Sequence, residues 1–120
     1  MGDYRKLRVW QLAREFTKDV YELTRGYPRG EEFGLVAQLR RASGSIGANI
    51  AEGFGRSSDR DTARFIGFAI GSANEVEQHL ATSADVGYLT PESASALSAA
   101  VAEIRRMLVG LQKTVRARIQ

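Results

Sequence analysis

A chain of 120 residues with a net charge of +3 fits one domain, 1–120, long enough to bury a hydrophobic core without staples. It contains no cysteine, which excludes disulfides, thiolate metal sites and thiol catalysis and suits a reducing compartment. No apolar run approaches the roughly 20 residues of a membrane span, and the opening MGDYRKLRVWQ lacks the apolar stretch of a signal peptide, so a soluble, cytoplasmic protein is expected. Lysine occurs only at Lys6, Lys18 and Lys113; the other basic residues are arginines, which favour bidentate contacts to carboxylate or phosphate and hint at an anionic partner.

The first predicted helix runs from about Leu7 to Arg25, with Gly26 as its C-terminal cap and Pro28 just beyond. Val9, Ala13, Phe16, Val20 and Leu23 keep its core face. A second helix is expected from near Glu31, where acidic residues suit the positive end, to Gly53–Gly55. At about 100° per residue, Leu35, Leu39, Ala42, Ile46, Ile50 and Gly53 form its core stripe. Ala37, Gly44, Ala48, Ala51 and Gly55 form a second stripe of small residues, and Gln38, Ser45, Asn49 and Glu52 a polar row between the two. Polar groups in such a row need partners if buried.

A third helix opens at Ser58, whose hydroxyl with Asp61 makes a capping-box pattern, and ends at Gly87. Thr90 then caps a fourth with Pro91 in its first turn. Here Leu97, Val101, Ile104, Leu108, Leu111 and Val115 alternate steps of four and three, the seam of a bundle helix. Short links make successive helices antiparallel, so the expected fold is all-α, an up-down-up-down four-helix bundle.

Two features suggest self-association. The third helix is uncharged between Arg64 and Glu75, and its middle, FIGFAIGSAN, is apolar or small all round. Gly67 and Gly71 lie one turn apart, and interior glycines cost roughly 1 kcal/mol each relative to alanine unless a close approach compensates. Ala37, Gly44, Ala48, Ala51, Gly67 and Gly71 are therefore candidates for a homo-oligomer interface. The alternative is tight packing inside one subunit.

The blocks VWQLA, GLVAQLRRASGSIGANIAEGFGR, FIGFAIGSANEVE and VGYL resemble the four-helix-bundle family first noticed as proteins encoded by intervening sequences in bacterial 23S ribosomal RNA genes. The resemblance covers nearly the whole chain, and its middle block is specific. It implies an antiparallel bundle, a ring-like homo-oligomer, commonly a pentamer, and no catalytic activity. The chain is also similar to the basic accessory bundle of diversity-generating retroelements, which implies nucleic acid or a reverse transcriptase as partner. Two positions depart from the pattern: Gly47 stands where proline is usual, which implies a softer kink, and Gly44 where a larger apolar residue is common.

In an up-down-up-down bundle one pole gathers Arg5, Lys6, Arg8, Arg56, Arg60, Arg64, Lys113, Arg116 and Arg118 against Asp3, Glu52, Asp59 and Asp61, a net +5. The other has Arg25 and Arg29 against Glu22, Glu31, Glu32, Asp85 and Glu92, a net −3. Complementing the helix dipole explains Lys113, Arg116 and Arg118 at a C-terminal end but not the cations at the starts of the first and third helices. The basic pole is thus a candidate for phosphate-backbone binding. Structured RNA is favoured over sequence-read DNA, because no recognition-helix motif is evident and the resemblance leans toward RNA.

Arg40 and Arg41 sit mid-helix. Arg41 lies beside Ser45, Asn49 and Glu52 and is expected either in a hydrogen-bonded network with Glu52 or Glu75 or, together with Arg40, lining a channel of the oligomer. Arg105 and Arg106 read as a solvated flank. The single histidine, His79, follows Glu75 by four residues and can pair with it, but no further group builds a general-base site. Glu52 and Glu75 could approach across helices, yet di-iron bundles want Glu-x-x-His pairs that this chain lacks. No enzyme activity, metal, cofactor or small-molecule substrate is expected. Two functions remain open: a nucleic-acid-binding oligomer, or an oligomeric scaffold for a protein partner in which RNA affinity is incidental.

Overall fold

The computed structural model describes residues 2–120, and all regular structure among them is helical. The four helices are α1 (Arg8–Thr24), α2 (Leu35–Phe54), α3 (Asp59–Asp85) and α4 (Pro91–Arg116), with single 3-10 turns at Tyr4–Lys6 and Arg29–Glu31. No helix among the described residues is long and apolar enough to cross a membrane.

The caps follow the local chemistry. Ser58 Oγ accepts the Asp61 amide at 3.1 Å and Thr90 Oγ1 the Ser93 amide at 3.1 Å, so each hydroxyl satisfies a donor that helix geometry leaves open. Asp61 sends no reciprocal bond to Ser58; its carboxylate turns to Arg64, 3.9 Å away. At the far end of α3 the Tyr88 amide donates to the Ser83 carbonyl (2.9 Å) and the Gly87 amide to Ala84 (3.1 Å). This Schellman closure requires a left-handed residue, supplied by Gly87 at φ +83°.

α2 begins at Leu35, later than the acidic residues suggest. Gly34, at φ −103° and ψ −112°, separates it from the Arg29–Glu31 turn. The Glu31 carboxylate reaches back instead, accepting the Leu35 amide at 3.4 Å and the Tyr88 hydroxyl at 2.8 Å. A Cβ on Gly34 would stand 2.9 Å from that carboxylate, so the glycine makes room for the cap. Glu31 thus serves the helix end through its side chain, from outside the helix.

The expected seams form the core. Val9, Ala13, Phe16 and Val20 of α1, Leu39, Ala42, Ile46 and Ile50 of α2, Ile66, Ala69, Ala73, Val76 and Leu80 of α3, and Val101, Ile104, Leu108 and Val115 of α4 are buried together. Leu23, Leu35, Leu97 and Leu111 pack against this core while partly exposed. Each fully buried Leu, Ile or Val contributes about 1.5–3 kcal/mol.

Consecutive helices are stitched along their length. Between α1 and α2, Trp10 meets Gly47, Thr17 Oγ1 donates to the Ser43 carbonyl (3.1 Å) and Arg40 reaches Thr24 (2.9 Å). Between α2 and α3, Thr62 Oγ1 donates to the Gly53 carbonyl (2.7 Å), the Ser45 and Ser72 hydroxyls meet at 2.7 Å and Arg41 donates to Glu75. Between α3 and α4, Gln112 donates to the Ala63 carbonyl (3.0 Å) and Arg105 engages Asn74 and Glu77. In every pair residue numbers rise on one helix as they fall on its neighbour.

The glycines divide by what surrounds them. A Cβ at Gly53 would lie 3.0 Å from Phe65 Cβ and 3.2 Å from the Thr62 carbonyl, so α2 and α3 cross tightly there. At Gly67 it would lie 3.1 Å from Gln112 Nε2, which places this glycine in the α3–α4 crossing of one subunit. Around Gly44 and Gly71 nothing lies within 4 Å. Gly47 is accommodated within the α2 helix, and the Trp10 indole nitrogen would be 3.5 Å from its Cβ.

Candidate nucleic-acid interface

The candidate basic residues lie on three chain segments of a body measuring 49 × 23 × 20 Å, and contacts at Arg8 and Arg118 bring these segments together. The Tyr4–Lys6 turn is pinned by Asp3, which accepts the Arg5 amide and Nε, both at 3.0 Å. Tyr4 packs edge-on against Trp10, 5.3 Å between centroids, so Arg5 and Lys6 are carried on an anchored turn. Arg8 borders an apolar surface cleft of about 330 Å³ with Leu7, Val9, Met107, Gly110 and Leu111, which sets the start of α1 beside the end of α4. Arg118 lies 3.9 Å from Asp59, joining the C-terminal segment to the start of α3.

The nine basic residues differ in what holds them. Arg5 is paired with Asp3, Arg56 with Glu52 at 2.5 Å, Arg64 with Asp61 at 3.9 Å and Arg118 with Asp59. Among the described residues no carboxylate is within ion-pair distance of Lys6, Arg8, Arg60, Lys113 or Arg116, and all five are exposed. Exposed pairs of this kind are worth about 0–1 kcal/mol, so even the paired arginines can exchange a carboxylate for a phosphate at small cost. The Arg5 pairing holds the Asp3 carboxyl below the usual range. Asp3 therefore remains ionised as a fixed counter-charge.

An aromatic element that pattern reading missed lies in this pole. Phe65 and Phe68 meet edge-on with centroids 5.3 Å apart. The Arg56 guanidinium stands 4.7 Å above the Phe65 ring, and that of Arg64 lies 5.5 Å from Phe65 and 5.7 Å from Phe68. The signal was available in the spacing, since Arg60, Arg64 and Phe68 recur every four residues along one outward line.

The mid-helix polar candidates do not form a single network. Ser45 donates to the Ala42 carbonyl (2.8 Å) and meets Ser72, while Asn49 donates to the Ser45 carbonyl (2.9 Å). Glu52 is taken by Arg56, and Arg41 by Glu75 and by Gln38 at 3.2 Å. Glu52 and Glu75 thus go to different arginines, and no His, Cys, Asp and Glu cluster suited to a metal exists among the described residues. Arg41 is 60 % exposed, so its pair lacks the burial that would make it fragile. Burial alone would raise the Glu75 carboxyl, but hydrogen bonds from His79 (3.2 Å) and Arg41 outweigh it and hold the group below its ordinary value.

Within the subunit Arg40 turns to α1. Its Nε donates to Thr24 Oγ1 (2.9 Å), an Nη to the Tyr21 carbonyl (3.2 Å), and its guanidinium lies 4.5 Å above the Tyr21 ring. One residue is about 100° of helix, so adjacent arginines serve opposite neighbours: Arg40 clamps α1 and Arg41 meets α3. Arg105 and Arg106 are engaged by Glu77 and Glu103.

The interface candidates also sort by geometry. Ala37, Gly44, Ala48 and Gly71 are exposed. Gly44, Gly47, Ala48 and Ala51 form the floor of a surface groove of about 350 Å³ walled by Tyr4, Trp10, Arg14 and Thr17. Gly67 is filled from within the subunit by Gln112.

Comparison with known proteins gives two findings. The family model described as 23S rRNA-intervening sequence protein matches residues 5–110. Among solved structures, a protein of unknown function from the S23 ribosomal protein family of Bacteroides thetaiotaomicron VPI-5482 is similar, with a TM-score of 0.81 and 28 % identity, over 88 % of this chain and 98 % of that one. No curated protein matches the chain.

Proposed function

The chain belongs to the 23S rRNA-intervening sequence protein family, and from that premise we propose that it is a non-enzymatic, oligomeric four-helix bundle that binds structured RNA through phosphate contacts at its basic pole. The observation that carries this reading is the set of exposed cations at one end, Lys6, Arg8, Arg60, Lys113 and Arg116, that no carboxylate pairs. The helix dipole accounts for Lys113 and Arg116 at the end of α4, but Lys6, Arg8 and Arg60 stand at or just before helix starts, where it gives a cation no benefit and an anionic partner would. The interhelical contacts support an antiparallel up-down-up-down order, which places all three basic segments at that end.

Self-association is part of the reading. Gly44 and Gly71 have open space where a side chain would go, Ala37 and Ala48 are exposed, and small residues let a second backbone approach closely. Subunits arranged with their poles alike would multiply the positive end into a ring, with a pentamer as the expected size. Sedimentation at micromolar concentration tests this: a single species at subunit mass refutes it.

RNA binding is tested by mobility shift of a structured RNA across a salt series. Each phosphate neutralised steepens the slope of log affinity against log salt by about 0.9 for a duplex. Affinity unchanged between 50 and 200 mM salt, roughly the range over which such contacts lose most of their strength, would rule out the mechanism.

A further inference from the structure

We propose that Phe68, backed by Phe65 and flanked by Arg56 and Arg64, is a stacking platform for an unpaired base of the bound RNA. This rests on the RNA-binding reading above and narrows its ligand from structured RNA in general to RNA presenting an unstacked nucleotide beside a helix.

Three observations converge. First, neither ring belongs to the hydrophobic core or packs against it, and Phe68 is 48 % exposed. Beside the Phe65 ring it forms an aromatic pair at the surface, outside the interior filled by Ile66, Ala69 and Ala73. Second, the rings are set against one another: the Phe65 Cβ lies at the close α2–α3 crossing, 3.0 Å from where a Cβ on Gly53 would stand, and Phe68 abuts Phe65 at an interplanar angle of 86°. A rigid ring loses little freedom when a base lies on it. Third, guanidinium groups flank the pair, Arg56 at 4.7 Å from the Phe65 centroid and Arg64 at 5.7 Å from that of Phe68. Cations beside an exposed ring match a nucleotide, whose base offers a flat face and whose phosphates on either side offer charge.

The chemistry distinguishes this ligand from a duplex. Bases in A-form RNA are stacked on each other and inaccessible to a ring, whereas loops and bulges splay them out. Arg56 and Arg64 are paired with Glu52 and Asp61 of this chain in exposed, weak ion pairs. A polyanion can displace both by mass of charge.

The test compares a stem–loop RNA with a fully paired duplex of equal charge, in moderate salt, for wild type, Phe68→Ala, Phe68→Leu and Phe68→Trp. Wild type is expected to bind the stem–loop on the order of 10-fold more tightly than the duplex. Phe68→Ala and Phe68→Leu should abolish that preference, and Phe68→Trp should keep or enlarge it. Helicity and thermal melting confirm that the variants fold. A preference retained by Phe68→Leu overturns the proposal, because an aliphatic chain cannot stack. A change in particle mass on Phe68→Ala also overturns it, assigning the ring to a contact between copies. Loss of RNA binding in Arg60→Glu with the stem–loop preference intact in Phe68→Ala would leave the basic pole standing and remove the platform. No binding of either RNA by wild type would remove both.

Discussion

The two ends of the molecule use the same residue types in opposite ways. At the Glu31–Tyr88 end Glu31 caps α2 and accepts from Tyr88, and Arg40 joins Thr24 to Tyr21, while Arg25 and Arg29 are exposed among an excess of carboxylates. Around the start of α3 and the end of α4, Arg60, Lys113 and Arg116 touch no carboxylate among the described residues, and Arg56 and Arg64, paired with Glu52 and Asp61, lie over phenyl rings. An arginine is therefore no indicator of function by type. What separates a clamp such as Arg40 from an exposed arginine is whether its donors bridge two helices of the fold.

Breaking the exposed end should have the largest effect. Arg60→Glu with Arg64→Glu is expected to lower affinity for structured RNA on the order of 100-fold near 0.1 M salt and to flatten the salt slope by about two, with oligomer size preserved. Arg25→Glu with Arg29→Glu, at the opposite end, should leave the affinity within about twofold. Equal losses from both pairs, in the same mobility-shift series, would dissolve the comparison.

Stability should respond in the reverse sense. Arg40→Ala removes a partner of buried Thr24 and a ring contact, and is expected to cost about 1–3 kcal/mol in urea unfolding. Arg60→Ala should stay within about 0.5 kcal/mol. A costly Arg60→Ala would mean that the fold uses the pole after all.

Acid sensitivity offers a finer probe of the region between the ends. The Glu75 carboxyl is lowered in the folded state, so its contribution is present above the unfolded pKa and is lost as pH falls through the folded one. Because the group is about one third exposed, the effect should be below about 1 kcal/mol. Glu75→Gln is expected to flatten the acid limb of the stability profile, and an unchanged limb would assign acid sensitivity to other carboxylates.

The smallest effects should come from Gly44→Ala and Gly71→Ala. In an isolated subunit each fills open space and should stabilise by about 0.5–1 kcal/mol through helix propensity. If copies meet there, each should instead weaken the assembly in sedimentation. Gly53→Ala is the control, expected to destabilise by about 1–2 kcal/mol because the Thr62 carbonyl and Phe65 Cβ cannot swing aside.

Much of this architecture was legible in the sequence. The seams Val9–Val20 and Val101–Val115, the caps at Ser58 and Thr90, and the glycine stop at Gly87 follow from period and local hydrogen bonding, which need no knowledge of the neighbours. The start of α2 was not legible, because Glu31 suits a helix end equally well from inside the first turn or, as here, from outside it across Gly34. The polar row was read as one unit, since periodicity says which residues share a face but not which partners the next helix presents. Ser45 found Ser72 while Glu52 found Arg56. The Phe65–Phe68 element was missed, because an aromatic pair in an uncharged stretch reads as buried until its neighbours are known.

The stitching of each helix to the next in sequence bears on how the chain acquires its structure. Trp10 with Gly47, Ser45 with Ser72 and Ala63 with Gln112 close hairpins between neighbours, whereas α1 and α4 touch more sparingly. Pairing helices that are adjacent in sequence loses less loop entropy than pairing α1 with α4 would. Such a protein can zip up in order as it emerges from synthesis, each hairpin templating the one that follows.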